Sequence, residues 1–187
     1  MKKIKIGLDF DGVVAYNPFR VIRAPITFFK RKILKKRGTR FFVPKNDWQK
    51  GLWRILHESS VFPADGVGLL KEMAKNPKYE FHLITARYSF LRGDLDKWLK
   101  KNGLTNIFTS INSNDLDEQP HLFKESMVSK LGLDYFVEDN LDIVSHLRKA
   151  TQVRIFWIYN ILDRHLYPKD PESYPYLRSV LYEIQNQ

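Results

Sequence analysis

Asp9 and Asp11, in the run Asp9-Phe10-Asp11-Gly12-Val13, are two carboxylates spaced as a pair able to do chemistry. Carboxylates can ligate a hard cation, attack an electrophile or carry a proton. Asp and Gly are also ordinary turn residues. A calcium loop would open with the same Asp-x-Asp spacing, but it needs an oxygen donor at its fifth position, Gly at its sixth and Glu at its twelfth. Those places hold Val13, Val14 and Arg20, so the calcium reading fails on residue types. A turn and a catalytic pair both stand open, and partners further along the chain must decide between them.

Two other polar clusters close apolar runs in the same way. Thr85-Ala86-Arg87 follows Tyr79 to Ile84, and Glu138-Asp139-Asn140, with Asp142 close behind, follows Tyr135-Phe136-Val137. The five histidines, His57, His82, His121, His146 and His165, are scattered without metal-ligand spacing and suggest neither a zinc site nor a Ser-His-Asp triad.

The elements that must position these groups can be read from periodicity. Ile4, Ile6 and Leu8 alternate with Lys3, Lys5 and Gly7, the pattern of a strand, and Gly12 lets the backbone turn beyond it. Further strands are predicted at Tyr79 to Ile84, Ile107 to Ile111, Tyr135 to Val137 and Val153 to Tyr159. Helices fall between them: one carries Val67, Leu69, Leu70 and Met73, the next Leu91, Leu95, Trp98 and Leu99, ended by Asn102-Gly103. A third carries Leu122, Met127, Val128 and Leu131, stopped by Gly132, and the last runs from Ile143 to Lys149. Asn112 to Pro120 reads as an exposed polar loop, and a short helix with Tyr176, Val180, Leu181 and Ile184 packs on the core after a Pro-rich stretch from Tyr167 to Pro175. Strands alternating with helices predict an α/β fold with a parallel, doubly wound sheet, in which ligands bind at the carboxyl ends of the strands. All three polar clusters lie at such ends.

Val14 to Ser60 breaks the alternation and reads as an insertion. Phe19, Ile22, Ile26, Phe29, Ile33 and Leu34 recur at helical steps interrupted by Pro25, and a second helix from Trp48 to His57 sets Trp48, Leu52, Ile55 and Leu56 on one face. The expected organisation is a catalytic core at 1–14 and 61–187 with a small basic helical cap at 15–60.

The stretch Asp9 to Val13 resembles the first motif of the haloacid dehalogenase superfamily, whose phosphatase members carry D-x-D-G-[TV] at the tip of the first strand. Thr85-Ala86-Arg87 resembles the second motif and Glu138-Asp139 the fourth in its E-D form. Lys124, fourteen residues before Glu138, lies within the spacing of the third-motif lysine, with Lys130 as the fallback. A small insertion between the first and second motifs is similar to the family's C1 cap, and Thr85 to Arg87 with Trp98-Leu99 is reminiscent of deoxyribonucleotidase-like members. The resemblance implies a Rossmann-like core and magnesium-dependent phosphate-ester hydrolysis. Asp9 would be the nucleophile and Asp11 the general acid and base. Asp9, Asp139 and the Asp11 main-chain carbonyl would hold Mg²⁺, with Glu138 supporting them from behind. Lys124, Thr85 and the Ala86 amide would hold the phosphoryl group. Arg87 could face the substrate or form a structural ion pair.

Charge is concentrated in the insertion. Between Pro18 and Arg54 there are twelve Lys or Arg against the single acid Asp47, so this segment alone exceeds the chain's net charge of +10 and the remainder is near neutral. Such a cap favours an anionic substrate, a nucleotide among the candidates. It could also touch nucleic acid or an anionic membrane, and an alternative reading makes the chain a peripheral RNA- or lipid-binding module on the same scaffold. Cysteine is absent, which rules out disulfides and thiolate zinc sites and suits the cytoplasm. Lys5, Asp9 and Asp11 interrupt the first apolar run, so it reads neither as a signal peptide nor as a membrane span.

Overall fold

The computed structural model describes residues 3–17, 43–44, 46–58, 62–160 and 170–187. Most of the basic segment, including Phe19 to Leu34 and its Lys and Arg clusters, lies outside the described residues, as does 161–169.

Among the described residues six parallel strands form one sheet. In chain order they are β1 (Ile4–Leu8), β4 (Tyr79–Tyr88), β5 (Ser110–Asn114), β6 (Tyr135–Glu138), β7 (Arg154–Ile158) and β8 (Ser173–Tyr174). Their spatial order is β5-β4-β1-β6-β7-β8. The chain therefore starts in the middle, winds outward to one side through β4 and β5, then returns to the other side of β1 with β6. That reversal makes the carboxyl ends of β1, β4 and β6 the switch point of the sheet, where a crevice forms.

Alternation along the central strands sends side chains to two cores. Ile6, Leu8, Phe81, Leu83, Val137 and Phe156 pack on one face with α2 (Val67–Met73), α3 (Arg92–Lys101) and α6 (Leu177–Gln185). Ile84, Phe136, Ile155 and Trp157 pack on the other with α4 (Pro120–Leu131) and α5 (Leu141–Ala150). Burial on both faces is the reason these strands are rich in large apolar residues. At Gly7 the second core comes too close for any side chain, since a Cβ there would lie 2.4 Å from Leu133 Cδ1 and 2.7 Å from Phe136 Cδ2. No helix among the described residues is long and apolar enough to cross a membrane.

Two short strands, β2 (Ala15–Tyr16) and β3 (Phe62–Pro63), pair antiparallel, Ala15 opposite Pro63 and Tyr16 opposite Phe62. The stretch between them therefore begins and ends at one place. Within it, α1 (Asp47–Glu58) matches the helix expected from Trp48 to His57, but two residues of its expected apolar stripe are exposed, Trp48 at 69% and Leu52 at 51%. Trp53 turns to the core instead, its ring 6.4 Å from that of Tyr88, and Arg54 donates to the Phe90 carbonyl and pairs with Asp94 at 3.2 Å.

Three sequence expectations are corrected. The strand placed at Ile107 to Ile111 begins only at Ser110 and runs to Asn114, because Ile107 is taken up in a turn on Leu104 and Thr109 donates to Phe81. Asn112, Ser113 and Asn114 are therefore strand residues and not loop. The second strand does not stop at Ile84 but continues to Tyr88, with an irregularity between Thr85 and Tyr88, so Thr85, Ala86 and Arg87 are part of it. A sixth strand, β8, comes from two residues, too short for any period to reveal.

Candidate active site

Asp9 follows β1 directly, and its amide donates to the Val137 carbonyl of the neighbouring β6. The backbone then doubles back. Gly12 takes a φ of 87°, a left-handed conformation that disfavours side chains, and the Val14 and Ala15 amides both donate to the Phe10 carbonyl. This turn keeps both Asp9 and Asp11 buried at the sheet edge.

Glu138 ends β6 and Asp139 follows it. Asn140 caps α5 by accepting from the Asp142 amide, and Glu138 Oε1 accepts from the Asn140 amide at 3.0 Å. The Trp157 indole, wholly buried on β7, donates to the Asp139 carbonyl at 3.1 Å. These bonds fix the loop that carries the two acids. Asp9, Glu138 and Asp139 can each offer an oxygen to one point, those oxygens lying within 4.8 Å of one another. Among the described residues they are the group of acids and histidines able to do so.

Lys124, in the second turn of α4, enters from the side. Its Nζ lies 2.9 Å from Asp9 Oδ1 and 2.5 Å from Glu138 Oε2. Lys130, by contrast, is exposed in the last turn of the same helix, so Lys124 is the lysine that reaches the acids.

The charges in this half of the site do not balance. Three buried carboxylates face one ammonium. Burial pushes the Asp9 carboxyl up to about 6, with Lys124 drawing it down and Asp139 adding to the rise. Burial likewise pushes Glu138 up to about 8 against the pull of Lys124. Burial alone would lower the Lys124 pKa, yet Asp9 and Glu138 outweigh it, and the amine stays firmly protonated. A hard cation held by oxygen ligands would remove the excess negative charge, and the donor set of carboxylates suits one.

The other half is balanced. With Leu8 opposite Leu83 in the parallel register, Asp11 and Arg87 lie three and four residues further along adjacent chain segments. Arg87 donates from Nε and Nη2 to the two oxygens of Asp11, both at 2.8 Å. Thr85, the neighbour on the same side of β4, is buried, and its Oγ1 accepts from the Arg87 amide at 3.2 Å. Ala86 lies between them on the strand. Of the two possibilities for Arg87, the geometry shows the ion pair.

The histidines divide. His82 is buried within β4, between Ser110 Oγ at 2.8 Å and Glu80 at 3.1 Å. His121 and His146, remote in sequence, pack edge to face with ring centres 4.8 Å apart, and His146 Nε2 lies 2.6 Å from Glu125. The His57 side chain and His165 lie outside the described residues.

No protein-family sequence model matches the chain, and no curated protein matches it in sequence. Solved structures do match it in fold. The chain resembles CbbY from Rhodobacter sphaeroides, determined in complex with phosphate, with a TM-score of 0.62 at 15% identity, covering 96% of each chain. It resembles the HAD-hydrolase YfnB from Bacillus subtilis, bound to magnesium, with a TM-score of 0.58 at 13% identity over the whole of both chains. A HAD-superfamily hydrolase from Ehrlichia chaffeensis gives a TM-score of 0.55 at 14% identity, covering 100% of this chain and 98% of that one. These likenesses, with the strand order above, show that the chain has the haloacid dehalogenase fold.

Proposed function

We propose that the chain is a magnesium-dependent phosphomonoester hydrolase that works through an aspartyl phosphate on Asp9. The observation that carries this reading is Asp9 itself: buried, contacted by Lys124, and converging with Glu138 and Asp139 on one point at the switch of the sheet. The likeness to a hydrolase fold solved with phosphate and with magnesium supports it.

A carboxylate approaching a phosphate dianion meets like charge. Two unit charges 4 Å apart repel by about 4 kcal/mol at an effective dielectric near 20, roughly a thousandfold in rate. Lys124 offsets part of this at the Asp9 oxygen. Asp9, Asp139 and the Asp11 main-chain carbonyl would hold Mg²⁺, with Glu138 behind them, and the ion when bound supplies the remaining positive charge on the phosphoryl oxygens. Thr85 and the Ala86 amide orient the phosphoryl group. An Asp9 oxygen attacks phosphorus, the ester P–O bond breaks, and Asp11 gives its proton to the leaving oxygen. Asp11 then takes a proton from water as that water attacks the same phosphorus, freeing Asp9 and inorganic phosphate.

The domain reading belongs to the same proposal: 15–60 form a cap over a core of 1–14 and 61–187, a division supported by the β2–β3 pairing at the neck of the insertion. The basic composition of that cap favours substrates with more than one anionic group, nucleotides included, and the absence of cysteine suits the cytoplasm. Hydrolysis of p-nitrophenyl phosphate with Mg²⁺ tests the central claim. We expect turnover in the wild type and a loss of about a thousandfold or more in Asp9→Asn. Salt-sensitive binding of RNA or anionic vesicles with no turnover, unchanged by Asp9→Asn, would instead establish the binding module.

A further inference from the structure

Asp11 is gripped more tightly than a residue that must handle protons needs to be. Its carboxylate takes two strong hydrogen bonds from one guanidinium, at 2.8 Å each, with both side chains almost wholly buried. The guanidinium is fixed in turn. It lies over the Phe10 ring at 4.5 Å, and Trp98 packs edge-on against the same ring at 4.9 Å and 88°. The Arg87 amide is tied to Thr85 Oγ1, and the strand irregularity falls beside it. Burying such a pair rarely adds stability over apolar residues of similar size, because removing two ions from water costs about what their attraction returns. The arrangement therefore calls for a use other than stability.

We propose that Arg87 is a positioning residue that fixes the rotamer of the Asp11 carboxylate. This rests on the hydrolase reading, in which Asp11 exchanges a proton with the leaving oxygen and then with water. The planar fork of arginine holds both carboxylate oxygens in one plane, which the single ammonium of lysine cannot do. Nε and Nη2 are both directed at Asp11, so the side-on fork of the guanidinium is engaged by a carboxylate of the site itself. Arg87 acts through Asp11 and not on the substrate.

The test compares wild type, Arg87→Lys, Arg87→Met, Asp11→Asn and the double variant Asp11→Asn/Arg87→Met on p-nitrophenyl phosphate. We expect both Arg87 variants to lose about a hundredfold in kcat, the scale of a misplaced catalytic group, with KM changed less than about threefold. The double variant should be no slower than Asp11→Asn alone, as for groups that act as a unit. A slowly exchanging arginine Nε–H resonance in the ¹⁵N NMR spectrum, absent from Arg87→Lys and shifted or lost in Asp11→Asn, reads the pair without any turnover. A rise in KM with kcat kept would make Arg87 a substrate contact and overturn the proposal. So would full activity in Arg87→Lys, or additive losses in the double variant. Absence of Asp9-dependent hydrolysis in the wild type sinks the hydrolase reading and this one together; hydrolysis with normal turnover in the Arg87 variants sinks only this one.

Discussion

The two cations at the sheet edge do opposite jobs. Lys124 is a compact charge shared between Asp9 and Glu138, with Asp139 nearby, so its side of the site holds more negative charge than it can balance. Arg87 meets Asp11 through two bonds of equal length, a pair in which one charge answers the other. A site short of positive charge is built to receive some, whereas a balanced pair is built to hold a shape. The lysine half is electrostatic and the arginine half geometric, and each can be broken by a different experiment.

The largest effect on stability should come from Lys124→Met. It strands two buried carboxylates, a loss of about 3 to 5 kcal/mol for a broken buried pair. At about 2 to 4 °C per kcal/mol for a chain of this size, a thermal melt in EDTA should fall by about 10 °C. A melt within about 2 °C of wild type would show that the acids had simply kept their protons and that the imbalance is not costly.

The second effect is the dependence of stability on pH without metal. Asp9 and Glu138 both have raised pKa values, to about 6 and about 8, with burial as the main cause. Folding therefore favours their protonated forms. The stability linked to them is complete below about pH 4 and is lost as pH rises towards 8. Melts in EDTA should show this decline, and added Mg²⁺ should raise the midpoint more at pH 8 than at pH 5. Equal stabilisation at both pH values would mean that the ion does not engage these acids.

The smallest effect should come from Trp157→Phe. It keeps the apolar bulk but removes the donor to the Asp139 carbonyl, a bond worth about 1 kcal/mol. Calorimetric titration with Mg²⁺ should show affinity weakened by several fold, with the rest of the molecule intact.

The lysine half was largely legible in the sequence and the arginine half was not. Apolar runs before Asp9 and Glu138 put those groups at strand ends, because a buried strand must be apolar until it reaches the edge. Parallel winding then brought them together, and Lys124 needed only a helix to carry it there. The pairing of Arg87 with Asp11 spans 76 residues and depends on the register of β1 with β4 and on β4 continuing past Thr85. Neither register nor an irregular strand end has a local pattern. The same holds for β8, held by its pairing to β7, and for His121 against His146, which meet only because α4 and α5 pack on one face.

The antiparallel contact of Ala15 with Pro63 has an engineering consequence. It works as a socket: the exit and entry points of the inserted stretch are clamped to each other. Closing a longer loop costs only a little more free energy than closing a shorter one. If the inserted stretch is the cap proposed above, a lineage or a designer could exchange it and retune which molecule is admitted, while Asp9 and Asp11 a few residues upstream stay where they are.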